Sequence, residues 1–184
     1  ESELRFPKQF RGKKRKVYLT GEGYFDVQRN EKQPFIVEAQ QVAIRVLGTS
    51  FGVRAYTREV NVLTTLVQGR VNVEADGQQV ELNPGQQADF NRENDRLTVA
   101  EVDVEQYVGW KDGRLVFDNK PLEFILEELG RWYSFDVFYT NKELKEIPYS
   151  LNIKKHEDIA HVLKFIERTG KVKFEVNKNM IIVK

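Results

Sequence analysis

The sequence predicts an α+β chain of two domains: a mainly antiparallel β sandwich or roll, then a small strand-helix-strand repeat domain with two helices on a small sheet. Three observations predict it. Residues 16–104 alternate apolar and polar side chains with a period of two. Near Trp110 the apolar spacing changes to that of a helix. Beyond it, apolar positions recur at an offset of 37 residues. The expected division is 1–104 for the β domain, 105–113 for a linker and 114–184 for the repeat domain.

The first part reads as short strands in succession: KVYLT, YFDVQ, PFIVEA, VAIRV, FGVRAY, VNVLTTLV, RVNVEA, QVELN, QADF and RLTVAEV. Turn residues separate them. Asp76-Gly77 lies between VNV and VEL, and both residues tolerate the positive φ of a tight hairpin. In NPG at 83–85, Pro84 presets φ and Gly85 takes the left-handed position. Many short strands at this spacing make an antiparallel sandwich or roll.

Two glycine-rich stretches invite a different reading. VLGTSFGV at 46–53 sets Gly48 and Gly52 around a Thr-Ser pair, and GEGYFD begins at Gly21. A phosphate loop needs Lys and Ser or Thr directly after its last glycine, opening a helix. Here Val53, Arg54 and Ala55 follow Gly52, and the flanks alternate as strands do. The expectation is a bend or bulge where one strand turns into the next.

The second part begins with KPLEFILEELGRWY. Leu122, Ile125, Leu126, Leu129 and Tyr133 form one apolar helix stripe, with Asn119 as N-cap and Pro121 in the first turn. In a second helix, Ile159, Val162, Leu163 and Ile166 form the stripe, Asp158 is the cap and Gly170 the stop. The offset of 37 pairs Leu122 with Ile159, Ile125 with Val162, Leu126 with Leu163 and Leu129 with Ile166. It also pairs Phe135 with Val172 and Val137 with Phe174, in the strands that follow. MIIVK adds a last strand.

Composition excludes several function classes. The 184 residues are 40% hydrophobic and 31% charged, with a net charge of +1. Nucleic-acid binding needs a more concentrated basic field. One basic run, KQFRGKKRK at 8–16, reads as a solvated loop, with anionic lipid headgroups as the sharper alternative. There is no cysteine, so disulfides and thiolate chemistry are out. No apolar run is long enough to span a bilayer. No signal peptide is seen, which fits a mature or excised piece of a longer protein.

No constellation for catalysis stands out, and the expectation is a protein that is not an enzyme and binds no cofactor or metal. His156 and His161 would lie about 140° apart on a helix, poor geometry for one metal ion. Glu127 and Glu128 are adjacent carboxylates read as solvent-facing, without the facing geometry of a glycosidase pair. Ser2, Ser50, Ser134 and Ser150 lack a nucleophile-elbow context. Trp110 and Trp132 are read as packing residues.

The strings VYLTGEGYFDV, PFIVEA, VAIRVLGTSFGVRAY, TLVQGRVNV and LNPGQQADF, in that order, resemble the FecR family of anti-sigma regulators of cell-surface signalling in Gram-negative bacteria. YVGWKDGRLVFDNKPLEFILEELGRWY resembles the module appended to that domain, which is similar to the small signalling domains of secretins and TonB-dependent receptors. The resemblance makes VLGTSFGV a structural hallmark of a periplasmic β domain. It implies a relay: a cytoplasmic segment holds an extracytoplasmic-function sigma factor, one helix crosses the inner membrane, and the periplasmic part senses an outer-membrane TonB-dependent transducer through that receptor's signalling domain. These residues would lie on the periplasmic side, and sigma factor would be bound only through the absent cytoplasmic segment.

The chain departs from the family pattern in two places. The family places a strand pair before the stretch matching SELRFPKQF, and its lack would leave an open edge for self-association. Phe124 and Gly130 stand where the family carries charge. Two partner-binding surfaces follow. One is the outer side of the first helix, centred on Phe124. The other is a free edge at Met180, Ile181, Ile182 and Val183, which would accept a partner strand and is slightly favoured. The competing reading is a glycan-binding β module with an α/β appendage, which leaves the repeat unexplained.

Overall fold

Period-two alternation becomes the interior of a large sheet. The computed structural model describes residues 2–154 and 156–184. They divide into two compact units, Glu1–Val108 and Gly109–Lys184. In the first, the strands are β1 (Glu3–Arg5), β2 (Arg15–Asp26), β3 (Phe35–Ala39), β4 (Val42–Val46), β5 (Ser50–Ala55), β6 (Asn61–Gln68), β7 (Val71–Ala75), β8 (Gln78–Leu82), β9 (Gln86–Asn91) and β10 (Arg96–Glu101). They hydrogen-bond in the order β10-β9-β6-β5-β2-β3-β4-β7-β8, with β1 added on β2. The two ends approach each other: the Gln78 side chain on β8 donates to Asp95 O and accepts from Leu97 N–H of β10. The sheet is therefore nearly a barrel. Val37, Ile44, Phe51, Leu66, Leu82 and Phe90 are fully buried inside it. Each such side chain contributes about 1.5–3 kcal/mol by leaving water.

KVYLT and YFDVQ, expected as two strands, are one. β2 runs 12 residues through Gly21, which has φ +91°. Its first half pairs in parallel with β3 and its second half antiparallel with β5. A single strand thus serves both halves of the sheet, and glycine permits the turn between them. The β2–β3 pair departs from an otherwise antiparallel ladder.

VLGTSFGV is the corresponding passage between β4 and β5. The ladder slips between Ser50 and Phe51, so a bulge sits where one was expected. Neither Gly48 nor Gly52 has positive φ. Close approach explains both. A Cβ on Gly48 would lie 2.4 Å from Arg29 Cα, and one on Gly52 would lie 2.8 Å from Val108 Cγ1. The loop after β2 is pinned across Gly48 by backbone bonds Val27 N–H to Thr49 O (3.0 Å), Thr49 N–H to Val27 O (3.1 Å) and Asn30 N–H to Leu47 O (2.7 Å). The hairpin at Asp76-Gly77 joins the paired β7 and β8, and the NPG turn carries the chain from β8 to β9, which do not pair; φ is positive at Asp76, Gly77 and Gly85. Residues 105–113, expected as a linker, hold a short helix α1 (Glu105–Val108) and a 3-10 turn (Gly109–Asp112). β1 pairs on one side only, and its other edge is open among the described residues.

The second unit contains β11 (Arg114–Pro121), α2 (Leu122–Tyr133), β12 (Asp136–Tyr139), β13 (Pro148–Lys154), α3 (Ile159–Glu167), β14 (Phe174–Asn177) and β15 (Met180–Val183). Equivalent elements of the repeat meet: β11 pairs with β13, while β12 and β14 flank β15. There are therefore two small sheets, of two and three strands, in place of the one expected. Leu122, Ile125, Leu126, Leu129, Val162, Leu163 and Ile166 form the core, as the stripes predicted.

Three local readings are corrected. Asn119 does not cap α2; it sits at a bulge of β11 with φ +49°, and the cap position is Pro121, without a side-chain bond. The ladder runs to Pro121 itself, and Leu122 N–H then donates to Ile147 O at 2.9 Å, so the pairing displaces the cap. Glu128 is buried, not solvent-facing, and pairs with Arg131 one turn on. MIIVK offers no free edge: β15 is central, parallel to β12 on one side and antiparallel to β14 on the other. Asp158 caps α3 as expected, its carboxylate accepting from Ala160 N–H at 2.9 Å. Gly170 follows the helix end with φ +73°.

Candidate partner-binding surface

A three-stranded sheet has one face on the core and one on solvent, and alternation assigns each residue. On β12, Val137 and Tyr139 pack inward; on β15, Ile181 and Val183 do, at 2% and 0% exposure. Phe138, Met180 and Ile182 then share the outer face. Phe138 stands directly across from Ile182, and Met180 precedes Ile182 by one pleat. Phe138 is 56% exposed and Met180 44%. Asp136, Asn177 and the Glu175–Lys184 ion pair border this apolar stripe. A water-facing stripe ringed by polar groups can bury an apolar side chain of a partner.

The expected site residues divide accordingly. Met180 and Ile182 lie on the outer face, while Ile181 and Val183 are core. Phe124 is half-buried, its ring edge-on to Phe117 at 6.3 Å with Lys120 Nζ 5.9 Å from its centre. Gly130 answers a packing need, because a Cβ there would lie 2.8 Å from Phe135 O. Phe138 was missed. The signal was present, since in DVFY it alternates with the inward Val137 and Tyr139.

Behind the stripe, the Tyr139 hydroxyl is buried with no hydrogen-bond partner among the described residues. Burial, then the charges of Glu123 and Glu127, push its pKa well above the ordinary range. Lys145 Nζ sits 5.2 Å from its ring centre and bonds Glu123 Oε1 at 2.5 Å. In the first unit, burial raises the Asp89 carboxyl, opposed by an Asn61 Nδ2 donor at 2.9 Å. Trp110 and Trp132 pack against the second unit's core. No cluster of three or more metal-ligating side chains occurs among the described residues, and none of their helices is long and apolar enough to cross a membrane.

The comparisons with known proteins agree with the architecture. A family model described as FecR protein matches residues 1–72, and one described as FecR, C-terminal matches residues 114–183. The chain belongs to the FecR family. This FecR chain is also similar to two crystal structures of a candidate anti-sigma factor from Parabacteroides distasonis ATCC 8503. One has 24% identity and a TM-score of 0.89, over 100% of this chain and 86% of the other. The second has 25% identity and a TM-score of 0.88, over 99% and 85%. No curated protein matches. The first family match spans VLGTSFGV, whose role in this fold is close packing.

Proposed function

We propose that this FecR chain is the periplasmic sensing part of an anti-sigma regulator. It relays the state of an outer-membrane TonB-dependent receptor across the inner membrane to an extracytoplasmic-function sigma factor. Sigma factor is held by a cytoplasmic segment that is not among these residues. The observation that carries the reading is the match of both FecR models in their family order, one on each compact unit. The protein works by association and is not an enzyme. The contact with the receptor's signalling domain is made by the second unit, through the outer stripe of Phe138, Ile182 and Met180. The glycan alternative loses support because Phe51 is core, with Phe25 and Phe35 packed against it.

The test is a calorimetric titration of the chain with the signalling domain of its cognate TonB-dependent receptor. The parent binds. Phe138→Asp and Ile182→Asp, verified as folded, lose about 1–3 kcal/mol of binding if the stripe is the centre of the contact. Phe124→Asp measures the helix face separately. Folded stripe variants that bind like the parent move the contact elsewhere, and a parent that does not bind defeats the relay.

A further inference from the structure

The two-stranded sheet leaves a second surface. β13 pairs with β11 on one side only. Which backbone groups face its open side follows from two bonds. Ile147 O accepts from Leu122 N–H, so the odd-numbered residues point toward β11 and α2. Lys154 N–H donates to Glu157 Oε1 at 3.2 Å, and Lys154 O accepts from Glu157 N–H at 2.9 Å, both on the far side. Backbone direction alternates along a strand. Ser150 and Asn152 therefore direct N–H and C=O groups outward.

Helix α3 stands beside this edge and makes it a groove of about 430 Å³. Phe165, at 60% exposure, supplies an apolar wall. Lys164 and Arg168 line the same groove, and neither forms an ion pair among the described residues. The carboxylate in the groove, Glu157, is already engaged by the Lys154 N–H.

We propose that the groove between β13 and α3 is a peptide site. It takes an extended, acidic segment, which pairs with Ser150 and Asn152 by backbone hydrogen bonds. An apolar side chain of the segment rests on Phe165, and its carboxylates meet Lys164 and Arg168. An open strand edge gives affinity without sequence, and the helix wall adds selectivity. The two unpaired cations choose an acidic segment over a basic one. The site is separate from the outer stripe and does not rest on the receptor reading, because a synthetic probe tests it.

The probe is a fluorescent nine-residue peptide of alternating glutamate and valine, titrated into the full chain by anisotropy. Two controls replace glutamate by lysine, or carry N-methyl groups on alternate backbone nitrogens. The acidic peptide binds, and both controls bind about tenfold more weakly or less. Lys164→Glu with Arg168→Glu, and separately Phe165→Ala, each weaken it by a similar factor. Amide resonances of Ser150 and Asn152 shift on binding. Failure of the acidic peptide to bind overturns the site. Equal binding of the N-methylated peptide overturns strand pairing, equal binding of the lysine peptide overturns the acidic occupant, and shifts confined elsewhere overturn the location.

Discussion

Tyr139 carries its hydroxyl into the second unit's interior without a hydrogen-bond partner among the described residues. A buried polar group left unpaired forfeits its hydration for nothing in return. Tyr139→Phe keeps the ring beside Lys145 and removes that cost. It raises stability by about 1 kcal/mol, read from the midpoint of urea unfolding. Asp89 also has a buried oxygen without a partner among the described residues, and it adds a pH signature. Burial raises its folded-state pKa above the ordinary 3.8, so the folded chain binds more protons between the two values. Stability contributed by this group is complete below about 3.8 and is lost as pH rises through the raised value. Asp89→Asn therefore melts at the parent's temperature at pH 3 and above it at pH 7.

At the scale of elements, glycines and caps act through contacts that lie far apart in sequence. Gly48 lets the Arg29 backbone cross the β4–β5 passage, and a methyl group there meets main chain. Gly48→Ala destabilises the first unit by about 1–3 kcal/mol in chemical unfolding, since backbone yields less readily than a side chain. The two repeat helices begin differently. Asp158 caps α3 directly, so Asp158→Ala costs about 1 kcal/mol by the same measurement. α2 starts on the end of a ladder, and its first N–H groups are served partly by Ile147 O.

At the scale of the whole molecule, each compact unit owns a separate hydrophobic cluster. Residues 109–184 hold α2, α3 and both small sheets without borrowing core residues from 1–108. That fragment, expressed alone, melts cooperatively and keeps the chain's helical circular dichroism. A non-cooperative melt would mean that the second core needs the first.

The sequence by itself determined the strand-rich first part, the two helix stripes and their repeat, because burial on one face writes its period directly into the chain. It also placed the Asp158 cap and both turns, whose chemistry is local. Tertiary structure decided the rest. Period two says which residues share a face but not which strand lies beside which, so MIIVK read as an edge and folded as a centre. Gly48 and Gly52 could be seen as special, while their reason lay in Arg29 and Val108, brought in from elsewhere in the chain. Asn119 lost its cap because strand pairing reached Pro121 first. Edges, close approaches and displaced caps all depend on partners distant in sequence, and only the folded chain brings them together.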